Sequence, residues 1–390
     1  MTSILNGKVA IAGIGQTQFS KASGKSDTTL AVEAIKAAIA DAGLTPADIH
    51  GVTRYTMDTT SEADVIKNLG IPELRFYSAV EYGGMATAGI LLHAAMAIAT
   101  GQADAVVTFR ALNGRSGTRL GRGERHAAPS NTATYVDSER VPGGAMASPY
   151  GLMAPAQAMA MWTRRYMHEY GVSDEDMADH LAEVCIRQRT YANTNPNAVM
   201  RDIPLDREAY LNSRMIADPL RLFDICLETD GACAMVLVSA ERARDLPNKP
   251  VYIMSAEQSL EPWQANNFNF YRDDFGRLAT RASSERLFKA AGVRHSDIDV
   301  AAIYEASSYQ VLATLETVGF ADWGEGGQFY KSGTLPINTH GGHLSEAYIH
   351  GQNHFNEAVR QLRGTAANQV KDASIALVTN AGWSSAILRN

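Results

Sequence analysis

The residues best suited to move protons lie in one short stretch, 338–351. It reads N-T-H-G-G-H-L-S-E-A-Y-I-H-G and holds His340, His343, Tyr348 and His350, with His354 just beyond. Imidazoles and a phenol can accept protons, return them, or hydrogen-bond an oxygen on which charge develops. Gly341 and Gly342 suit a backbone that must pass close to a ligand, since a side chain there would block the approach. Tyr348 and the neighbouring histidines then face whatever binds. Several histidines also suggest a metal, and His350 and His354 share a face if the following helix begins early enough. No carboxylate or cysteine completes a known ligand spacing, so no metal is expected.

Nucleophiles are poorly marked. Cys185, Cys226 and Cys233 form no C-x-x-C and signal neither a disulfide framework nor a zinc site. Ser78, Ser307, Ser308 and Ser345 lack the G-x-S-x-G elbow. Glu228 and Asp230 read as turn and cap residues rather than general bases. Gly13-Ile14-Gly15 opens a dinucleotide-fold pattern whose third glycine is replaced by Gln18, so no nucleotide site is expected.

The elements that must position these residues follow from periodicity. Residues 9–14 read as a strand, and 28–42 as a helix stopped by Gly43; 49–57 then reads as a strand. The most apolar long stretch, 84–101, contains His93 and reads as a buried central helix rather than a membrane span. A repeat organises the rest. Segment 42–49 (A-G-L-T-P-A-D-I) leads to Tyr55 as 291–298 (A-G-V-R-H-S-D-I) leads to Tyr304, at a constant offset. A weaker echo relates 94–109 to 357–379, each a helix, a turn and an apolar strand. Two matches in the same order indicate two related α/β halves.

Between the halves, 111–155 is rich in Gly, Arg, Ser and Pro, as expected of a functional loop or insertion. Its Arg115, Arg119, Arg122 and Arg125 fit a solvated loop better than a phosphate site. Helices are expected at 156–170 and 173–191. Residues 228–232 turn into a strand at 234–238, and 251–255 opens the second half. Segment 258–281, with Trp263, Phe268, Phe270, Tyr271 and Phe275, walls an apolar substrate or covers a core edge. An amphipathic run at 355–362 follows the histidine stretch. The expected partition is 1–110 with 220–245, an insertion at 111–219, and 246–390.

Composition narrows the class. With 390 residues the chain exceeds one small core, and 45% hydrophobic with 20% charged content is that of an ordinary globular protein. A net charge of -7 disfavours general binding to nucleic acid or anionic membranes. Sparse cysteines and an N-terminus without a secretory pattern suggest a reducing cytoplasm.

The duplicated halves, the D-G-A-C-A turn at 230–234 and the stretch at 338–351 together resemble the thiolase superfamily along essentially the whole chain, most closely its sterol-carrier-protein-x branch. The resemblance implies an α/β fold of five layers (α/β/α/β/α) from two related halves plus a loop domain. It also implies a dimer and a thioester substrate on coenzyme A, with no covalently bound cofactor.

Departures from the family pattern redirect the chemistry. The window where thiolases place their nucleophilic cysteine is here V-E-Y-G-G-M (80–85), and the late cysteine would fall at 379–381, T-N-A. Tyr304 and Tyr348 stand where histidines are normal. Without a thiolate no acyl-enzyme forms, but a cleft that binds a thioester and stabilises its enolate remains useful. The implied reaction is retro-aldol cleavage of a β-hydroxyacyl thioester. Tyr304 and Tyr348 would be catalytic, His340 and His343 enolate donors, and Gly83, Gly84, Gly341, Gly342, His350 and Asn380 substrate contacts.

Such a reading resembles the steroid side-chain aldolases, which release a 17-keto steroid and a short acyl-CoA, propionyl-CoA, and which commonly read Y-D-x-F where this chain has Tyr304-Glu305-Ala306-Ser307. That group works with a small partner carrying an OB-fold and a zinc ribbon, implying a heterotetramer. Two alternatives are a non-catalytic acyl-CoA or sterol-binding subunit, and a thiolase-like acyltransferase with a relocated cysteine.

Overall fold

The computed structural model describes residues 3–81, 83–117, 119, 148–152, 154–261, 274 and 277–390. Arg122, Arg125 and the aromatic residues Trp263, Phe268, Phe270, Tyr271 and Phe275 lie outside them. Nine strands form one mixed sheet: β1 (Val9–Gln16), β2 (Gly51–Tyr55), β3 (Phe76–Val80), β4 (Ala105–Asn113), β5 (Asp230–Ser239), β6 (Val251–Gln258), β7 (Val300–Ile303), β8 (Ile375–Asn380) and β9 (Ser384–Arg389). The order across it is β3-β2-β4-β5-β1-β6-β9-β8-β7. The halves meet where β1 runs antiparallel to β6, Ala10 and Ile11 opposite Tyr252 and Val251.

Counted outward from that seam, each half places its first strand, then its last, then its penultimate, then its second. In the first half β3 follows as the outer strand. In the second half that place is held by Ile337, which makes a single parallel bridge to Ala301. The repeat extends to atomic detail. Gly43 and Gly292 both take left-handed backbone, at φ +68° and +75°. The Thr45 and Arg294 N–H groups then donate to Asp48 and Asp297 carboxylates, each at 2.9 Å.

The helices that bear on the site and its layers are α1 (Asp27–Asp41), α2 (Glu62–Leu69), α3 (Gly89–Ala99), α4 (Pro155–Tyr170), α5 (Asp174–Thr194), α6 (Ala282–Ala291), α7 (Ser308–Val318), α8 (Gly342–Ser345) and α9 (Gln352–Arg363), with further short helices between. The middle layer is α3 with α9. Their Leu91, Ala94, Phe355 and Val359 share one core with Val106 and Met235 of the first half and Val300 and Val378 of the second. Burying Phe355, Val359 and Leu362 contributes about 2 kcal/mol each, so the interior between the halves is a main source of stability. On the outer faces α1 packs Ile35 and Ala38 on the first half. There α6 and α7 cover the second half together with α4 and α5.

Local departures from the sequence reading have simple causes. The stretch 84–101 is two pieces, a tight turn at Gly83–Ala86 and then α3. β5 begins at Asp230, inside the expected turn; the Asp230 carboxylate caps the loops beside it, accepting the Ser23, Arg115 and Ser116 N–H groups at 2.9 Å each. Gly13 and Gly15 serve helix-on-strand packing: a Cβ on either would lie 2.2 or 2.1 Å from α1 carbonyl oxygens.

Candidate active site

The sheet edge in the second half sets the site. Where a third strand would run, Asn338 pairs its side-chain amide with Ile303, accepting its N–H at 2.7 Å and donating to its carbonyl at 2.9 Å. This requires left-handed backbone at Asn338, φ +52°. β7 then ends and Tyr304 follows, its N–H donating to Thr379 O at 2.9 Å. From the loop, the Tyr348 N–H donates to Thr229 Oγ1 at 3.2 Å. The consequence is that the two phenol oxygens meet at 2.5 Å.

The Gly83–Gly84 turn closes over that pair. A Cβ on Gly84 would lie 2.0 Å from the Tyr304 hydroxyl, so only glycine leaves the phenol its place. Asn380 at the end of β8 donates to Gly84 O at 2.7 Å and pins the turn. Gly341 and Gly342 serve a different purpose from the ligand approach expected of them. Their Cβ positions are filled by Ala192 of α5 (2.7 Å) and by Glu305 Oε1 (2.0 Å), so the protein itself comes close there.

His343 lies behind both tyrosines, with ring centroids 4.8 Å from Tyr304 and 4.9 Å from Tyr348, both edge-on. Its ring nitrogens are already engaged: Nε2 accepts the Gly351 N–H at 3.1 Å, and Nδ1 faces Glu305 O at 3.0 Å. His340 is buried a layer deeper, with Nε2 at 2.8 Å from His354 Nδ1. Neither is therefore placed as the direct enolate donor that the sequence suggested; both belong to the support. His350 differs. Its ring stands edge-on to Tyr348 at 4.8 Å, and its Nδ1 accepts from Arg110 Nε at 2.8 Å.

Sequence reading missed the buried acids beneath this layer. Glu305 accepts the His343 N–H at 2.7 Å and approaches His354 Nε2 at 3.1 Å. Glu346 accepts from Asn195 and Asn353, each at 2.9 Å. Burial pushes both carboxyls up to about 7, while it pushes His343 and His354 down to about 3. Glu305, His343 and His354 each offer a ligand atom within 4.8 Å of the others. The two imidazoles, however, stack at 4.1 Å and 28°, so their lone pairs do not converge on a tetrahedral centre.

A stability test follows for Glu305. Its proton is held from the ordinary value near 4.5 up to about 7, so its contribution is complete below pH 4.5 and lost as pH rises through 7. Glu305→Gln mimics the neutral acid and is expected to match the wild type at pH 4.5 but exceed it by about 2–3 kcal/mol at pH 8. Urea unfolding at the two pH values checks this. A pH-independent difference counts against it.

Other candidates fall away from the pair. Cys185, Cys226 and Cys233 are free thiols, and burial raises all three above the usual thiol value, so none is a ready thiolate. Ser308 donates to Asp224 at 2.6 Å, Ser345 accepts from Arg189 at 2.9 Å, and Ser78 pairs with His93 at 2.7 Å on the outer strand. Ser307 Oγ is buried without a partner among the described residues. Tyr55, the repeat twin of Tyr304, donates to His350 O at 2.8 Å and is a tie between the halves.

Similar proteins identify the family. A family profile described as "Thiolase C-terminal domain-like" matches residues 265–387. The chain is 46% identical over 384 residues to a steroid side-chain-cleaving aldolase of Thermomonospora curvata, covering 97% of this chain and 96% of that one. It is 44% identical over 383 residues to a 17-hydroxy-3-oxo-4-pregnene-20-carboxyl-CoA lyase of Mycobacterium tuberculosis, covering 96% and 97%. The solved Ltp2-ChsH2(DUF35) aldolase superposes with a TM-score of 0.90 at 44% identity, covering 99% of both chains. With a shared fold, missing thiolate and close relatives over nearly their full length, the chain belongs to the thiolase superfamily and, within it, to the steroid side-chain-cleaving aldolases.

Proposed function

We propose that this chain cleaves a β-hydroxyacyl-CoA thioester by retro-aldol chemistry, with a 17-hydroxy steroid side-chain CoA as substrate and a 17-keto steroid and propionyl-CoA as products. The observation that carries the reading is the Tyr304–Tyr348 hydroxyl pair at 2.5 Å in a site without a thiolate. With one proton shared between the two oxygens, each phenol stabilises charge on the other. The pair takes the proton of the substrate's β-hydroxyl as the carbon–carbon bond breaks. The ketone leaves, the bonding electrons pass into the thioester enolate, and the proton returns to the α-carbon, restoring the pair.

Coenzyme A enters only as part of the substrate. The relative solved as Ltp2-ChsH2(DUF35) supports a DUF35-type partner, the OB-fold and zinc-ribbon protein that the resemblance implies. A homodimer is supported by the outer strand β3, which has no neighbour on one side among the described residues and where Tyr77 is 68% exposed and Met96 of α3 43%. Among the described residues no helix is long and apolar enough to cross a membrane; we read the site of action as cytoplasmic and the partition as 1–110 with 220–245, 111–219 and 246–390.

The test supplies the 17-hydroxy steroid CoA thioester to the full chain co-purified with its partner. Ketone and propionyl-CoA are expected in equal amounts, and replacing all three cysteines with alanine should leave the rate largely unchanged. Tight binding without turnover would favour a binding subunit, and loss of activity in the cysteine variant an acyltransferase.

A further inference from the structure

Resting on the retro-aldol reading, one residue that the proton transfers leave unexplained is Arg110, which holds His350 against Tyr348 of the pair. It lies inside the mostly apolar strand β4, between Phe109 and Ala111, is buried, and donates from Nε to His350 Nδ1 at 2.8 Å and from Nη1 to Asp58 at 2.6 Å. A guanidinium only donates, so Nδ1 must accept and the single proton of the neutral imidazole sits on Nε2. That N–H has no partner among the described residues. The ring is buried and stands against Tyr348.

The backbone that carries this ring is held just as firmly. His350 has φ +47°, a left-handed conformation unusual for a residue with a side chain. Its carbonyl accepts from Tyr55 at 2.8 Å and from Thr87 at 3.1 Å. Three residues of the first half, Tyr55, Thr87 and Arg110, thus fix one residue of the second. Backbone strain held by several bonds beside a reaction site has the character of preorganisation.

We propose that Arg110 is a positioning residue: by donating to His350 Nδ1 it keeps the ring proton on Nε2 and aims it at the thioester carbonyl oxygen, where negative charge grows as the carbon–carbon bond breaks. A second proton on the ring would set Nδ1–H against the Arg110 N–H, so the imidazole stays neutral. A neutral imidazole donating to a carbonyl in this way is an established electrophile in enzyme chemistry.

The test combines spectroscopy and kinetics on the full chain in the assembly in which it purifies. Nitrogen NMR with labelled histidine should show His350 as the Nε2–H tautomer. In the paired variant Arg110→Gln with Asp58→Asn, which strands no charge, the tautomer should become mixed and kcat fall about 10- to 100-fold with little change in KM. An Nδ1–H tautomer in the wild type, or a folded paired variant with unchanged kcat, overturns the assignment.

Should the paired variant not fold, His350→Gln keeps a side-chain N–H donor and His350→Leu does not. Higher kcat by tenfold or so in the former supports a donor role, and equal loss in both refutes it. Should the wild type cleave no thioester, the retro-aldol reading fails by itself. A saturated acyl-CoA lacking the hydroxyl then still decides the tautomer proposal: the Nε2 resonance either moves on binding or stays, supporting or sinking it.

Discussion

Tyr348→Phe is expected to lower kcat for thioester cleavage by roughly 10³-fold, within the 10²–10⁴ range of lost general acid–base catalysis, with KM changed much less. The substitution removes one oxygen and keeps the ring, so packing against His343 and His350 survives. What disappears is the partner that Tyr304 meets at 2.5 Å. Tyr304→Phe should cost about as much, and the double variant little more than either alone, because the two oxygens act as one proton-holding unit. Steady-state kinetics of the three variants decide the matter. Strictly additive losses, or a rise in KM alone, would mean that the phenols work separately or only bind.

Gly84→Ala should have the second largest effect, about 10²-fold in kcat. Its new methyl would lie 2.0 Å from the Tyr304 hydroxyl and 2.3 Å from the carbon that bears it, so one of them must move. Tyr304 is only 5% exposed and its ring lies edge-on to His343. The relief open to it is a shift of the phenol by about 1 Å, which breaks the pair and carries the loss expected of a misplaced catalytic group. Gly341→Ala is the comparison: its methyl meets Ala192 of α5 at 2.7 Å, and its φ is +105°. That change should reduce the unfolding free energy by about 1–3 kcal/mol and leave kcat of the folded fraction nearly intact. Equal effects of both alanines on kcat would remove Gly84 from any special relation to the phenol.

Much of the scaffold was legible because repeats and periodicity are local properties. The coincidence of Ala, Gly, Asp, Ile and Tyr in 42–55 and 291–304 became two copies of one helix–turn–strand unit with the same aspartate cap. Tyr304 and Tyr348 stood out by type and place. The glycines were visible as glycines but not for their reason: what fills the space over Gly84, Gly341 and Gly342 comes from residues distant in the chain. Arg110 gave one usable signal, a charged residue inside a mostly apolar strand, and its contact with His350 lies 240 positions away.

By itself the sequence determined the duplicated α/β scaffold, the absence of a cysteine where the family keeps its nucleophile, and the two phenols that remain. Those are matters of residue type and spacing, which a chain carries before it folds. Tertiary structure alone decided that the phenols touch, that His343 spends both ring nitrogens and His340 its Nε2 on the protein's interior, and that Arg110 meets Nδ1 of His350. The reason is that a proton's position on an imidazole, and the room beside a glycine, depend on neighbours brought in from the other half.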